Sequence, residues 1–189
     1  YAVAVYYIIV PAEISSNMAR FDGIRFGPTS VETDNLFDFY LQNRERFGAE
    51  VKRRIMIGTY ILSAGHFDAY YQKAVAVRKI IRHEFISAFR EVDVIVAPVA
   101  PTTAFQIGEK VSPLEMYLTD ILTIPSSLAG LCALAIPCGF DQNNLPVGLQ
   151  IIGAPDTEKD ILNFGHLYQQ NTDWHQKEPV FLEKNHFLK

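Results

Sequence analysis

Two stretches of the chain repeat apolar residues at intervals of three and four, and one alternates them. Between Glu50 and Ser63, Val51, Ile55, Ile57 and Ile61/Leu62 supply one face of a helix, which Gly65 closes as a C-cap. From Asp68 to Glu91 the series Val77, Ile81, Phe85, Ala88/Phe89 and Val92 is stronger still. Lys73, Arg78, Lys79, Arg82 and Arg90 lie mostly on its other side. Val147, Leu149 and Ile151 alternate within a strand from Pro146 to Gly153, and the turn Asp141-Gln142-Asn143-Asn144 joins it to a short strand over Ala133 to Pro137. Val92 to Ala97 reads as a buried strand ended by Pro98. Pro113 to Asp120, continuing to Leu122, starts as a helix with proline in its first turn, and Thr157 to Tyr168 is a closing helix.

Elsewhere the pattern is weaker. Residues 2–10 form an unbroken apolar run with no period, which fits a buried strand and a buried helix equally. Glu13 to Arg20 has helical polarity, and Phe21 to Pro28 is a turn-rich loop. Ser30 to Gly48 is mixed, with a short helix around Leu36, Phe37, Phe39, Tyr40 and Leu41; Pro101 to Ser112 is loop. Helices interspersed with short, buried strands predict an α/β fold, and no stretch reads as a linker. The chain opens on Tyr1 inside apolar sequence, whereas termini are usually polar and frayed, so a piece of a longer protein is expected.

Composition narrows the classes. With 189 residues, 49% hydrophobic, 12% aromatic and 20% charged, the chain can bury a core and is neither disordered nor collagen-like. The longest apolar run, Tyr1 to Ala12, falls short of the roughly 18 residues a membrane helix needs. A net charge of −4 argues against sequence-independent nucleic-acid binding. Residues 44–92 carry ten Lys and Arg against five Asp and Glu, for which a solvated helix face is preferred to a nucleic-acid or partner contact. Cys132 and Cys138 stand in apolar settings without metal-ligand spacing; small buried hydrophobes in a reducing compartment are expected, with a disulfide as the alternative. The histidines are scattered and no metal site is predicted.

No complete catalytic machine is present. There is no GxSxG elbow, no phosphate-cradling glycine loop and no glycine-flanked serine. Ser15-Ser16 and Ser126-Ser127 read as capping and turn residues. Lys52-Arg53-Arg54 opens an apolar helix, and Asp120 is surrounded in sequence by Met116, Tyr117, Leu118, Ile121 and Leu122. Charges in such settings need partners. A structural salt bridge serves that need, and so does a clamp for a zwitterion, in which a guanidinium takes a carboxylate and a carboxylate takes an ammonium. Successive helical residues point about 100° apart, so only one of Arg53 and Arg54 faces such a pocket.

Several of these segments together resemble a known family. Ala12-Glu13-Ile14-Ser15-Ser16-Asn17-Met18-Ala19-Arg20-Phe21-Asp22-Gly23-Ile24-Arg25-Phe26-Gly27, Glu50-Val51-Lys52-Arg53-Arg54-Ile55, Asp68-Ala69-Tyr70-Tyr71 and Ala97-Pro98 through Pro101-Thr102-Thr103-Ala104-Phe105 are similar to the A subunits of the glutamyl-tRNA(Gln), or aspartyl/glutamyl-tRNA, amidotransferases. Met116 to Pro125, Leu128-Ala129-Gly130-Leu131, Pro137-Cys138-Gly139 and Leu145-Pro146-Val147-Gly148-Leu149-Gln150 complete the match, the last of them shared with amidase-signature enzymes broadly. Where relatives read Leu-Ala-Gly-Leu-Pro, this chain has Cys132 in the proline's place.

The resemblance implies a mixed sheet covered by helices, with residues 1–189 as the C-terminal part of a single amidase-signature domain. It implies that the catalytic lysine and two serines, one in a cis peptide, lie upstream, so that this chain holds no catalytic residue. The positions matching the family's glutamine contacts are Tyr6 (side-chain contact), Arg54 (carboxylate) and Asp120 (ammonium), with Tyr7 and Arg53 as the one-residue register alternatives. The implied setting is a cytoplasmic heterotrimer with the B and C subunits and no membrane. There, ammonia released from glutamine amidates misacylated tRNA held mainly by the B subunit, where ATP and Mg are used; this chain itself binds no cofactor. A stand-alone small-amide amidase and a non-catalytic binding module are the alternatives.

Overall fold

The computed structural model describes residues 1–27, 33–109 and 112–179. Pro28, residues 30–32 of the mixed stretch and residues 110–111 of the predicted loop lie outside the described residues. The chain forms two compact units, one of residues 4–77 and one of residues 1–3 and 78–189.

In the first unit the ambiguous apolar run is helical. α1 covers Ala2–Asn17 and passes without a break into the polar residues from Glu13 onward. A turn of 3-10 helix, Met18–Arg20, extends it. The resulting 19 residues, Ala2–Arg20, are long and apolar enough to cross a membrane by length and composition, which corrects the expectation drawn from the apolar run alone. Helical continuation through Ser15, Ser16 and Asn17 adds the length. In this structure Val5, Ile9, Pro11 and Ala12 are instead buried in protein.

α2 (Leu36–Glu45) starts where the Asn35 side chain accepts from the Phe37 N–H at 2.9 Å, an N-cap that fixes its first turn. α3 (Ala49–Leu62) begins after Gly48. Its buried and half-buried stripe is Val51, Arg54, Ile55, Gly58 and Ile61. Ile57 and Leu62, assigned inward from sequence, are 38% and 36% exposed, so the inward position in that turn belongs to Gly58. The reason is a close helix crossing. A Cβ on Gly58 would stand 1.9 Å from the Pro11 carbonyl oxygen and 2.8 Å from the Ser15 Cβ, so only glycine lets α1 lie this near. The long helix predicted over Asp68 to Glu91 begins as a π-helical turn, Phe67–Gln72, before α4 (Lys73–Ala88).

The second unit is built on a three-stranded antiparallel sheet: β1 (Val94–Pro98), β2 (Cys132–Phe140) and β3 (Pro146–Gly153) in the order β1-β3-β2. Proline cannot donate to a ladder, and its placement here obeys that rule. Pro98 and Pro137 are on the outer strands, and the central β3 has proline only at its first residue. β2 carries a bulge between Pro137 and Gly139. Ile136, Ile151 and α7 (Glu158–Asn171) residue Ile161 form the core on one face, joined by Val94, Leu134 and Leu149. α7 comes close because glycines make room. A Cβ at Gly165 would meet Leu134 at 2.4 Å, and one at Gly153 would meet Thr157 at 2.5 Å.

Between β1 and β2 lie α5 (Pro113–Leu118) and α6 (Ile124–Ala129), separated by a turn holding Asp120. α6 was not predicted; Pro125 sits in its first turn, where a missing N–H costs nothing. Gly130 ends it in the left-handed conformation (φ 66°). Arg78 Nε donates to the Leu128 carbonyl at 2.7 Å, and Arg82 donates to those of Ala129 and Gly130. Two cations of the basic segment thus cap the negative end of α6 while staying on the exposed helix face expected of them.

Candidate functional site

The first unit assembles an aromatic–guanidinium cluster. Tyr7 and Pro11 are one helical turn apart on α1, and so are Arg54 and Gly58 on α3. The Gly58–Pro11 contact therefore brings Tyr7 and Arg54 together one turn earlier. The Arg54 guanidinium lies 5.7 Å from the centre of the Tyr7 ring, within cation–π range. Tyr6 packs edge-on to Tyr7, with centroids 5.0 Å apart and planes at 75°. Glu50, one turn earlier on α3, accepts from Arg54 Nε at 2.9 Å through Oε1 and pairs with Arg53 through Oε2. The partner of the Arg54 charge, sought from sequence, thus includes Glu50.

Burial draws the Arg54 pKa downward, but the Glu50 hydrogen bond and charge, with smaller contributions from Tyr7 and Tyr6, outweigh it and leave it above its ordinary value. The guanidinium is a fixed cation, 24% exposed, oriented by one carboxylate and backed by an aromatic face. Such a group suits a planar anion, above all a carboxylate. Arg53 is 44% exposed, the more solvated of the two arginines.

Asp120 belongs to the second unit, where it lines a cleft of about 780 Å³. One wall is the segment from Pro98 to Phe105, another is the turn at Thr119, Asp120, Leu122 and Thr123, and β3 residues Pro146 to Gly148 complete it. The neighbours Met116, Leu118 and Ile121 are themselves 41–45% exposed, and Asp120 is exposed with them. Its apolar sequence neighbours therefore do not bury it, contrary to the expectation from sequence. Its carboxylate has no hydrogen-bond or ion partner among the described residues, while its backbone carbonyl accepts from the Thr123 and Ile124 N–H groups at 3.1 and 3.0 Å. A carboxylate held at a helix-like turn beside an open cleft can receive a cation.

Two polar residues that sequence reasoning did not single out build the cleft. Gln150, 3% exposed in the middle of the central strand, donates from Nε2 to the carbonyls of Pro98 at 2.8 Å and Leu122 at 2.9 Å. Asp141 accepts from the Leu145 and Asn143 N–H groups at the hairpin and from the Thr103 hydroxyl at 2.7 Å. Those bonds, the Leu145 one foremost, hold its carboxyl below the usual carboxylate range. A glutamine inside an otherwise apolar alternating strand was the available signal for the first.

The remaining candidates are structural. Ser15, Ser126 and Ser127 donate to carbonyls three or four residues back, as expected of in-helix serines. Cys132 and Cys138 are free thiols toward opposite ends of β2, roughly 20 Å apart along a strand of this rise, so no disulfide can join them. Cys132 donates to the Ala154 carbonyl at 3.0 Å. Among the described residues no cluster of His, Cys, Asp or Glu is placed to hold a metal.

The sequence profile of the family described as Amidase matches residues 1–162. The chain is 58% identical, over 94% of its length, to the A subunit of the glutamyl-tRNA(Gln) amidotransferase of Geotalea daltonii, and 53% identical, over 96%, to that of Thiobacillus denitrificans. It spans 37–38% of the length of these curated relatives. Among solved structures, the A subunit of the Thermotoga maritima glutamyl-tRNA(Gln) amidotransferase superposes with a TM-score of 0.56 at 46% identity, covering 82% of this chain and 29% of that one. The 6-aminohexanoate cyclic dimer hydrolase superposes at 0.68 with 15% identity over 96% of this chain and 37% of that one, a likeness of fold alone.

Proposed function

The chain belongs to the amidase family, and on that premise we propose that it is the glutamine-gripping part of the A subunit of a tRNA-dependent amidotransferase. The observation that carries the assignment is identity of 53–58% to such A subunits over nearly the whole chain. The two charged sites supply its chemistry. Glutamine presents a carboxylate and an ammonium; Arg54, oriented by Glu50 and backed by Tyr7 and Tyr6, takes the first, and Asp120 takes the second. Both are binding residues. In this reading residues 1–189 are the C-terminal part of one amidase-signature domain. The acyl-enzyme chemistry belongs to a lysine and two serines in the part of the relatives' length that this chain does not span, so this chain alone binds glutamine without hydrolysing it. The ammonia passes, in the cytoplasm, to the B subunit of a heterotrimer completed by the C subunit. The B subunit holds the misacylated tRNA and uses ATP and Mg, and glutamate on tRNA(Gln) or aspartate on tRNA(Asn) is the acceptor.

The test is glutamine hydrolysis by the intact protein. Arg54→Ala and Asp120→Asn each raise KM for glutamine by tenfold or more, since each removes a charge-assisted bond of about 1.5–3 kcal/mol. Undiminished glutaminase activity in Arg54→Ala sinks the clamp.

A further inference from the structure

Gln150 lies where two walls of the Asp120 cleft meet the central strand. At this register of β3, Gln150 faces Ala97 of β1 and Ala135 of β2. Leu149 and Ile151 pack into the core under α7, while Gln150 reaches the carbonyls of Pro98 and Leu122, with only alanines as its strand partners to crowd it. A primary amide has two N–H donors, and this one gives them to two carbonyls of different segments. Pro98 begins one wall of the cleft, and Leu122 is two residues beyond Asp120 in the other. A carboxylate in the same place would offer no donor to either carbonyl. An asparagine would fall short by about one C–C bond, roughly 1.5 Å.

From this geometry, and resting on the reading of Asp120 as the ammonium contact, we infer that Gln150 is a positioning residue for substrate recognition. Its amide ties the Asp120 turn to the Pro98 wall and so sets where the carboxylate meets the substrate's α-ammonium. The residue acts on discrimination for that ammonium and leaves the chemical step alone. Without the amide, the Leu122 carbonyl loses its partner, the turn relaxes toward other partners, and the Asp120 carboxylate moves with it.

The experiment uses the intact protein and two substrates, glutamine and 4-carbamoylbutanoate, which is glutamine without its α-ammonium group. Gln150→Glu preserves shape and removes the donors; Gln150→Met removes them without introducing a charge, and circular dichroism confirms that each variant is folded. The expected result is a KM for glutamine raised about tenfold, one charge-assisted contact's worth. kcat stays within about twofold, and kcat/KM for 4-carbamoylbutanoate is unchanged. Equal losses on both substrates, or a lower melting temperature with an unaltered KM, overturn the inference. Asp120→Asn run in parallel separates the two readings. If Asp120→Asn fails to erode the preference for glutamine, the ammonium contact itself is wrong. If it erodes that preference and the folded Gln150 variants do not, only the positioning role is wrong.

Discussion

The crossing of α1 and α3 at Gly58 yields the most exposed prediction, because two rules oppose each other there. Replacing glycine by alanine inside a helix favours folding by about 1 kcal/mol on propensity. At this position the added Cβ would stand 1.9 Å from the Pro11 carbonyl oxygen, whereas a carbon–oxygen contact needs about 3.3 Å. Both atoms are fixed to backbone, so no rotamer change relieves the clash and α1 must retreat by roughly 1.4 Å from α3. Overpacking of this kind costs about 1–3 kcal/mol, and the rigidity of the contact places it at the upper end. The net expectation is a loss of about 2 kcal/mol, or roughly thirtyfold in amide protection. Hydrogen exchange of the α1 and α3 amides in Gly58→Ala measures it directly. The same retreat parts Tyr7 from Arg54, so KM for glutamine in the intact protein rises with the loss of protection. Gly48→Ala, at the start of the same helix with nothing within 4 Å of the added carbon, serves as control and changes protection by less than about 1 kcal/mol. Protection in Gly58→Ala equal to or above that of the parent would mean that propensity prevails and that the helices are not in contact here.

Three further outcomes follow from the second unit. The Asp141 carboxyl is held below the usual carboxylate range, so its contribution to the hairpin and to the Thr103 tie is complete above about pH 4 and is lost as pH falls through its own lower value. A carboxyl-carbon titration by NMR gives a midpoint below that of a free aspartate; one at or above it contradicts the bonds drawn here. Arg82→Ala removes the donor to the Ala129 and Gly130 carbonyls and destabilises the α6 end by about 1 kcal/mol, read as faster exchange of the Gly130 and Leu131 amides, with Lys79→Ala as the neutral comparison. Mild oxidation leaves Cys132 and Cys138 unlinked within one chain, and thiol titration with intact mass finds both free; a mass loss of two hydrogen atoms on a monomer refutes the separation along β2.

The segments legible in the sequence were those whose partners are local. α3 lies within a residue of its expected bounds, because a 3.6-residue repeat is written in consecutive positions, although Ser63 and not Gly65 caps its end. β3 matches its expected bounds, since alternation and the turn at Asp141 need no information from elsewhere. Charge drew attention to the Lys52-Arg53-Arg54 run and to Asp120, because ionised groups beside apolar residues demand an explanation, and the family resemblance singled out Arg54. The choice between Arg53 and Arg54 was open in sequence. In the fold, Arg54 is the one that reaches the Tyr7 ring, because Gly58 brings α1 to that face of α3.

What tertiary structure alone decided is what depends on contacts remote in sequence. An apolar run without a period, as at residues 2–10, fits strand and helix equally, and only the fold shows it to be helix. Glycine carries no hydropathy signal of its function, and a glutamine in an apolar strand shows that it needs partners without showing which. Gly58 matters for the space it leaves to residue 11, and Gln150 for two carbonyls 52 and 28 residues away. Sequence by itself determined which residues bear charge and where the strongly periodic segments lie, because both are written in consecutive positions. The fold decided where those charges stand and what holds them, because that is a matter of distance between segments, and a linear pattern does not encode distance.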